Sequence, residues 1–164
     1  MFEKFGDFDS YEEINRAAAG QKAEGDEKAL LELAEENGID KEDVEDYMDG
    51  VIQDLCDPLT AAYGKLKVED EDLKTKDIMN DWYNYIVTLV AADREMAIAV
   101  RRKEKSLKGC IGALLKWSFD HQQNIDKDIL KAAKVSASKV TIGIPGMGTA
   151  HKLIKEYYLG GNKK

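Results

Sequence analysis

Apolar residues recur at spacings of three and four through most of this chain, and only two prolines interrupt its 164 residues. That pairing favours amphipathic helices over a β sandwich, whose strands need alternation of period two and frequent turn residues. A content of 43% apolar and 34% charged residues also sets it apart from a disordered tail. The expected fold is all-α: one domain over residues 1–164, built as a compact multi-helix bundle. An acidic N-terminal lobe (1–72) is expected to precede a C-terminal core and basic lobe (73–164), with at most a minor β segment near 139–144.

Local signals place the helices. Ser10 with Glu13 three residues on forms a capping box, and Ile14, Ala17 and Ala18 behind it predict a helix to about Gly20. Asp26 caps a second, whose Leu30, Leu31, Leu33 and Ala34 face inward until Asn37-Gly38 ends it. Asp40 opens a third, expected to reach Asp54, with Val44, Tyr47, Met48, Val51, Ile52 and Leu55 on its apolar side. Residues 59–66 predict a further helical turn or two, and KVEDEDLKTKD reads as a charged connection between the lobes. From Asp77, the residues Ile78, Trp82, Tyr85, Ile86, Leu89 and Val90 mark one face of a long helix at the centre of the core.

In SLKGCIGALLKWSF, Leu107, Cys110, Ile111, Leu114, Leu115 and Phe119 share a helical face. Its two glycines cost about 1 kcal/mol each relative to alanine, which close packing on another helix would explain. Asp126 caps a short helix through Ala133, and KVTIGIPGMG is the one segment with β character. A last helix is expected from about Thr149 to Tyr158, ending at Gly160-Gly161.

The net charge of −8 conceals a strong asymmetry. Residues 1–100 hold 10 Lys+Arg against 27 Asp+Glu, whereas residues 101–164 hold 14 against 5, so a half carrying −17 precedes one carrying +9. Such segregation suits a polyelectrolyte partner, two lobes that attract one another, or simply separate solvated faces.

LAEENGIDKEDVEDYMDGV has the apolar spacing and central glycine of a helix-turn-helix, yet its second helix sets seven acids against the single Lys41. A helix entering a DNA groove needs Lys and Arg to displace counterions, so this one would be repelled. Two readings follow for Glu42, Asp43, Glu45, Asp46 and Asp49. They form a solvated face, or they imitate a row of phosphates and occupy a basic groove on a partner. The cluster Arg101, Arg102, Lys103, Lys105 and Lys108 has the mirrored choice between touching nucleic acid and docking against an acidic lobe of the same or a second chain.

Nothing in the sequence assembles an active site. TIGIPGMGTAHK lacks the third glycine of a dinucleotide fingerprint and the Lys-Ser/Thr of a nucleotide-triphosphate loop. Its GxxG is shared with the RNA-clamping loop of KH domains, but a tight turn before the last helix accounts for it. His121 and His151 have no Cys or His at ligand spacing, and the acidic helix lacks an EF-hand's glycine and closing Glu, so no metal and no cofactor are expected. Cys56 and Cys110 read as buried reduced thiols. MFEKFGDFDSYEE has no secretory pattern and no segment reaches membrane-spanning length, so a cytoplasmic, non-enzymatic protein is expected.

FEKFGDFDSYEEINRAA, LAEENGIDKEDVEDYMDG, KSLKGCIGALLKWSF and IPGMGTAHKLIKEYYLG together resemble the PcfK-like group of small proteins carried by plasmids, conjugative elements and prophages of gut Firmicutes. Part of that group is described as an anti-CRISPR family inhibiting the RNA-guided nuclease of type II systems. The resemblance extends over most of the chain and is most specific at KSLKGC. It implies a bacterial host cytoplasm, a type II effector nuclease as partner, with or without guide RNA, and no catalytic residue. Such an effector holds nucleic acid in basic channels, which a carboxylate-lined helix can contest. Two alternatives stand beside it: a nucleic-acid-binding accessory protein of a plasmid or conjugative element, using residues 101–108, and an assembly protein whose opposite lobes pair between chains as a homodimer or larger unit.

Overall fold

The computed structural model describes residues 2–160. Helix α1 (Tyr11–Glu24) opens where its capping box lies. The Ser10 hydroxyl accepts from the Glu13 N–H at 3.3 Å, and the Glu13 carboxylate reaches back to the Asp9 N–H at 2.8 Å. The helix runs past Gly20 and is closed by Gly25 in the left-handed region, φ 70°. Helix α2 (Glu27–Glu36) is capped by Asp26, whose carboxylate accepts from the Ala29 N–H at 2.9 Å.

Helix α3 (Lys41–Met48) is shorter than expected. Asp49 and Gly50 (φ 76°) stop it two turns in, and Val51, expected on its apolar side, is 71% exposed. Asp54 therefore lies outside the acidic helix.

Helix α4 (Pro58–Leu73) is the largest departure from the sequence reading, because most of the supposed charged connection belongs to it. Asp57 caps it through the Thr60 N–H at 2.7 Å, and Pro58 occupies the first turn, where its missing N–H costs nothing. The apolar pattern is broken by Lys65 and Glu69, which are nonetheless buried.

Helices α5 (Ile78–Ala92), α6 (Arg94–Arg101) and α7 (Leu107–Asp120) follow. A two-residue antiparallel pairing joins β1 (Gln123–Asn124) to β2 (Thr141–Ile142), with Gln123 opposite Ile142, and short helix α8 (Lys127–Ala132) lies between them. Helix α9 (Met147–Leu159) closes the fold, two residues earlier than expected at its start, with Gly160 as its C-cap. Gly161 lies outside the described residues. On α7 the buried stripe is Leu107, Cys110, Leu114 and Ser118. Leu115 and Phe119, expected on that face, point to solvent.

The architecture is thus an all-α bundle with a minimal β element. Two hydrophobic clusters form it. The first gathers Ile14, Leu30, Leu33, Val44, Tyr47 and Leu55 from α1–α3 and the segment before α4. The second gathers Leu66, Trp82, Ile86, Met96, Leu107, Leu114, Ile154 and Tyr158. Each fully buried Leu or Ile contributes roughly 1.5–3 kcal/mol relative to exposure. Helix α4 serves both, giving Ala61 to the first cluster and Ala62 and Leu66 to the second.

The α2–α3 turn meets α4 backbone to backbone. Gly38 (φ 65°) lies against Gly64, and a Cβ on Gly64 would overlap the Asn37 carbonyl oxygen, so neither position has room for a side chain. No helix among the described residues is long and apolar enough to cross a membrane.

Candidate interaction surface

The acidic helix presents its charge outward because Val44 and Tyr47 take its inward positions. Glu42, Glu45, Asp46 and Asp49 are exposed and Asp43 is half-buried. Glu45 pairs with Lys41 at 3.1 Å along the helix, and Asp40 with Lys67 of α4 at 3.3 Å. Among the described residues no ion pair reaches Glu42, Asp43, Asp46 or Asp49. Asp43 registers the resulting field: partial burial, and then repulsion from Asp40, Asp46, Glu42 and Asp57, lift its carboxyl above the usual range. That rise occurs at the positive end of a helix dipole, which would by itself depress it. Burial and like charges win.

The surface is wider than α3. A groove of about 380 Å³ runs between α2, α3 and α4, floored by Leu31, Ile39, Val44 and Val68 and rimmed by Glu35, Asp40 and Glu71 together with Lys41 and Lys67. A second hollow of about 390 Å³ shares Gly38, Asp40 and Lys67 with it and extends to Asp43, Tyr63 and Tyr83. A third, of about 430 Å³, adds Asp72 along with Glu32, paired with Lys4, and Glu36, which accepts from the Lys4 and Phe5 N–H groups. The acids of α2 and α4 escaped notice in the sequence because they lie 30 or more residues apart. Only the packing of α4 across the α2–α3 turn brings them together.

The basic cluster has a different fate. Arg101 is 1% exposed, and its guanidinium donates to Asp7 at 3.3 Å and to Asn37 at 3.0 Å. It is therefore corrected from a candidate phosphate contact to an internal tie between the N-terminal segment, the end of α2 and α6. Lys105 is largely committed as well, donating to the Tyr157 carbonyl at 2.8 Å. Lys103 and Lys108 are exposed and Arg102 is half-buried, so the cationic surface at 101–108 is thinner than the sequence suggests.

Lys65 and Glu69 explain why the 101–108 segment turns inward. They stand four residues apart on one face of α4, where both meet the α6–α7 connection. The Lys65 ammonium donates to the carbonyls of Arg102 and Lys105, both at 2.7 Å; the Arg102 carbonyl also accepts from the Lys105 N–H at 3.0 Å, so Lys65 braces a turn just beyond α6. The Glu69 carboxylate accepts from the Leu107 N–H at 2.9 Å, serving the first turn of α7. Burial lowers the Lys65 pKa and raises that of Glu69, so each charged form is held by its partners against a desolvation penalty.

The KSLKGC stretch is used up in the same elbow. Ser106 caps α7 through the Gly109 N–H at 3.0 Å, Leu107 and Cys110 are buried, and Gly109 lies against the Tyr157 hydroxyl. Its motif character is architectural.

Burial pushes the Cys56 and Cys110 thiols up to about 12, which keeps them protonated near neutral pH. His151 stacks on Tyr85 with centroids 3.6 Å apart, and His121 on Trp117 at 4.1 Å. Among the described residues no three His, Cys, Asp or Glu side chains converge as a metal site requires. What the geometry brings together is a carboxylate-rich, apolar-floored surface on one lobe. No protein-family model, no curated protein and no solved structure matches this chain.

Proposed function

We propose that this protein is a non-enzymatic inhibitor that binds the RNA-guided effector nuclease of type II CRISPR systems and contests its DNA-binding surface. The observation that carries the reading is the row of carboxylates at Glu42, Asp46 and Asp49, exposed, and Asp43, half-buried, none paired with a cation among the described residues. An effector that holds nucleic acid through lysines and arginines offers the complementary surface, and carboxylates need no deformation to meet it. The resemblance to the PcfK-like group supplies the partner class.

Adding the purified protein to a loaded type II effector is expected to lower target cleavage with dose, and rising salt should weaken the effect. Charge reversal at Glu42, Asp43, Glu45 and Asp46 is expected to weaken inhibition at least tenfold, on the order of the coupling measured for close interfacial charges. Full inhibition by that variant would remove the mimicry, and no inhibition by the natural chain would remove the function. A pull-down with and without guide RNA would separate interference with guide loading from interference with DNA binding.

A second reading, a nucleic-acid-binding accessory protein of a mobile element, is favoured by the exposed Lys103 and Lys108. It predicts a gel shift of bare DNA with a steep salt slope that Lys103→Glu and Lys108→Glu flatten.

A further inference from the structure

The excursion between α7 and α9 is held by the β1–β2 pairing and an Ile125–Val140 backbone bond but buries little of itself. From His121 to Gly146, Pro145 is the only fully buried residue, and α8 has none. Yet the segment carries large apolar side chains: Ile129 is 59% exposed, Val135 46%, Ile142 49% and Ile144 54%. Four lysines accompany them. Lys131 is paired only with Asp128 of its own helix, at 3.1 Å, and Lys127, Lys134 and Lys139 are exposed. An isolated six-residue helix is too short to be stable in water, and exposed Ile and Val so concentrated mark a surface made to be covered.

The opposite lobe carries the complement. The α2–α3–α4 groove has an aliphatic floor of Leu31, Ile39, Val44 and Val68 and open access to solvent; on its rim Asp40 is paired with Lys67 and Lys41 with Glu45, which leaves Glu35 and Glu71 as its carboxylates without a cation among the described residues. Its apolar floor answers Ile129 and Val135, and Glu35 and Glu71 answer the lysines of the arm, Lys127, Lys131 and Lys134. In the folded chain the arm is exposed, so it does not fill its own groove.

We infer that the α8 arm of one copy docks in the acidic α2–α3–α4 groove of a second copy, so that the chain associates head to tail. The occupant is a second copy because one sequence carries both halves, matched in sign and in apolar character. An arm-to-arm pairing would instead set lysines against lysines. A head-to-tail contact closes into a pair or small ring only if its rotation permits, and otherwise extends. This association is independent of the proposed inhibition, although both use the acidic lobe.

The test is sedimentation of the full chain over a concentration series at low and high salt. Mass should rise to at least that of a dimer at low salt and fall back at high salt. Ile129→Asp and the triple reversal Lys127→Glu/Lys131→Glu/Lys134→Glu lie on an exposed element and should stay folded by circular dichroism. Each is expected to weaken association roughly tenfold or more, by lost apolar burial or by charge repulsion. The groove variant Glu35→Lys/Glu71→Lys should do the same.

Mixing the arm-reversed and groove-reversed chains supplies the decisive arm, because the acidic arm of the first then fits the basic groove of the second. Recovery of a mixed dimer supports the inference. A natural chain that stays monomeric at every concentration would overturn it, as would association insensitive to both variants. A monomeric chain that shifts single-stranded RNA through the same lysines would also overturn it, and would assign the arm to nucleic acid.

Discussion

Gly64 shows how one residue can hold two lobes together. Its missing side chain lets the Asn37–Gly38 turn touch α4 directly, and a methyl group there must displace backbone rather than a flexible side chain. Gly64→Ala is expected to destabilise the protein by about 3 kcal/mol, within the range for overpacking a tight interior, seen as a fall of roughly 10 °C in a thermal melt. Asp43 argues in the other direction. Its raised pKa means that the folded chain holds the proton more tightly than the unfolded chain does. Its contribution is therefore most favourable below the ordinary carboxylate value and is lost as pH rises through the raised one. Asp43→Asn should melt about 1 °C higher at neutral pH, a small gain because the site is partly solvated. The difference should vanish in acid, where the natural residue is protonated too. A melt series from pH 3 to pH 7 checks the sign.

At the scale of elements, the α6–α7 elbow depends on two side chains from α4. Removing the ammonium with Lys65→Met strands the Lys105 carbonyl, takes one of two donors from the Arg102 carbonyl, and leaves Glu69 with Arg101 alone as a nearby cation. A loss of about 3 kcal/mol is expected for breaking such a buried set. Hydrogen exchange should quicken first at the amides of residues 102–108, before the rest of α7 is affected.

The same pair explains why α4 was hard to read. Its interior positions 65 and 69 hold charges, its position 64 a glycine, and its last turns the run VEDEDL, so the apolar period that reveals other helices is interrupted. Three caps were legible because their chemistry is local: Ser10, Asp26 and Asp126 each accept from an N–H two or three residues on, whereas Asp40, expected to do the same, stands at the N-cap of α3 without a side-chain cap bond. Arg101 was not, because a buried arginine beside Arg102 and Lys103 has the sequence of a surface patch. Only Asp7 and Asn37, more than 60 residues away, distinguish it. Likewise the row on α3 could be read from one segment, whereas Glu35 and Glu71 join it only through tertiary packing.

Across the whole molecule, charge segregation survives folding instead of cancelling. The polar ties between the acidic and basic halves run through Asp7, Asp9, Asn37, Lys65 and Glu69, with Asp9 accepting from the Lys103 N–H at 3.0 Å. The carboxylates of α3 make no pair with any described cation beyond residue 100. Because α4 contributes to both clusters and Arg101 joins them, urea unfolding is expected to be one cooperative event. Fluorescence from Trp82 and Trp117, which reports the C-terminal half, should give the same midpoint as far-ultraviolet circular dichroism, which reports all helices. Arg101→Leu, which removes the tie, should pull the two midpoints apart.

The contact between Gly38 and Gly64 also governs how the protein can meet anything else. A joint made of two bare main chains has no pliable atoms to yield, so the bearing of α3 is fixed before any encounter. A visitor must conform to a stencil whose shape is already cut, and little entropy remains to be surrendered on this side of the handshake.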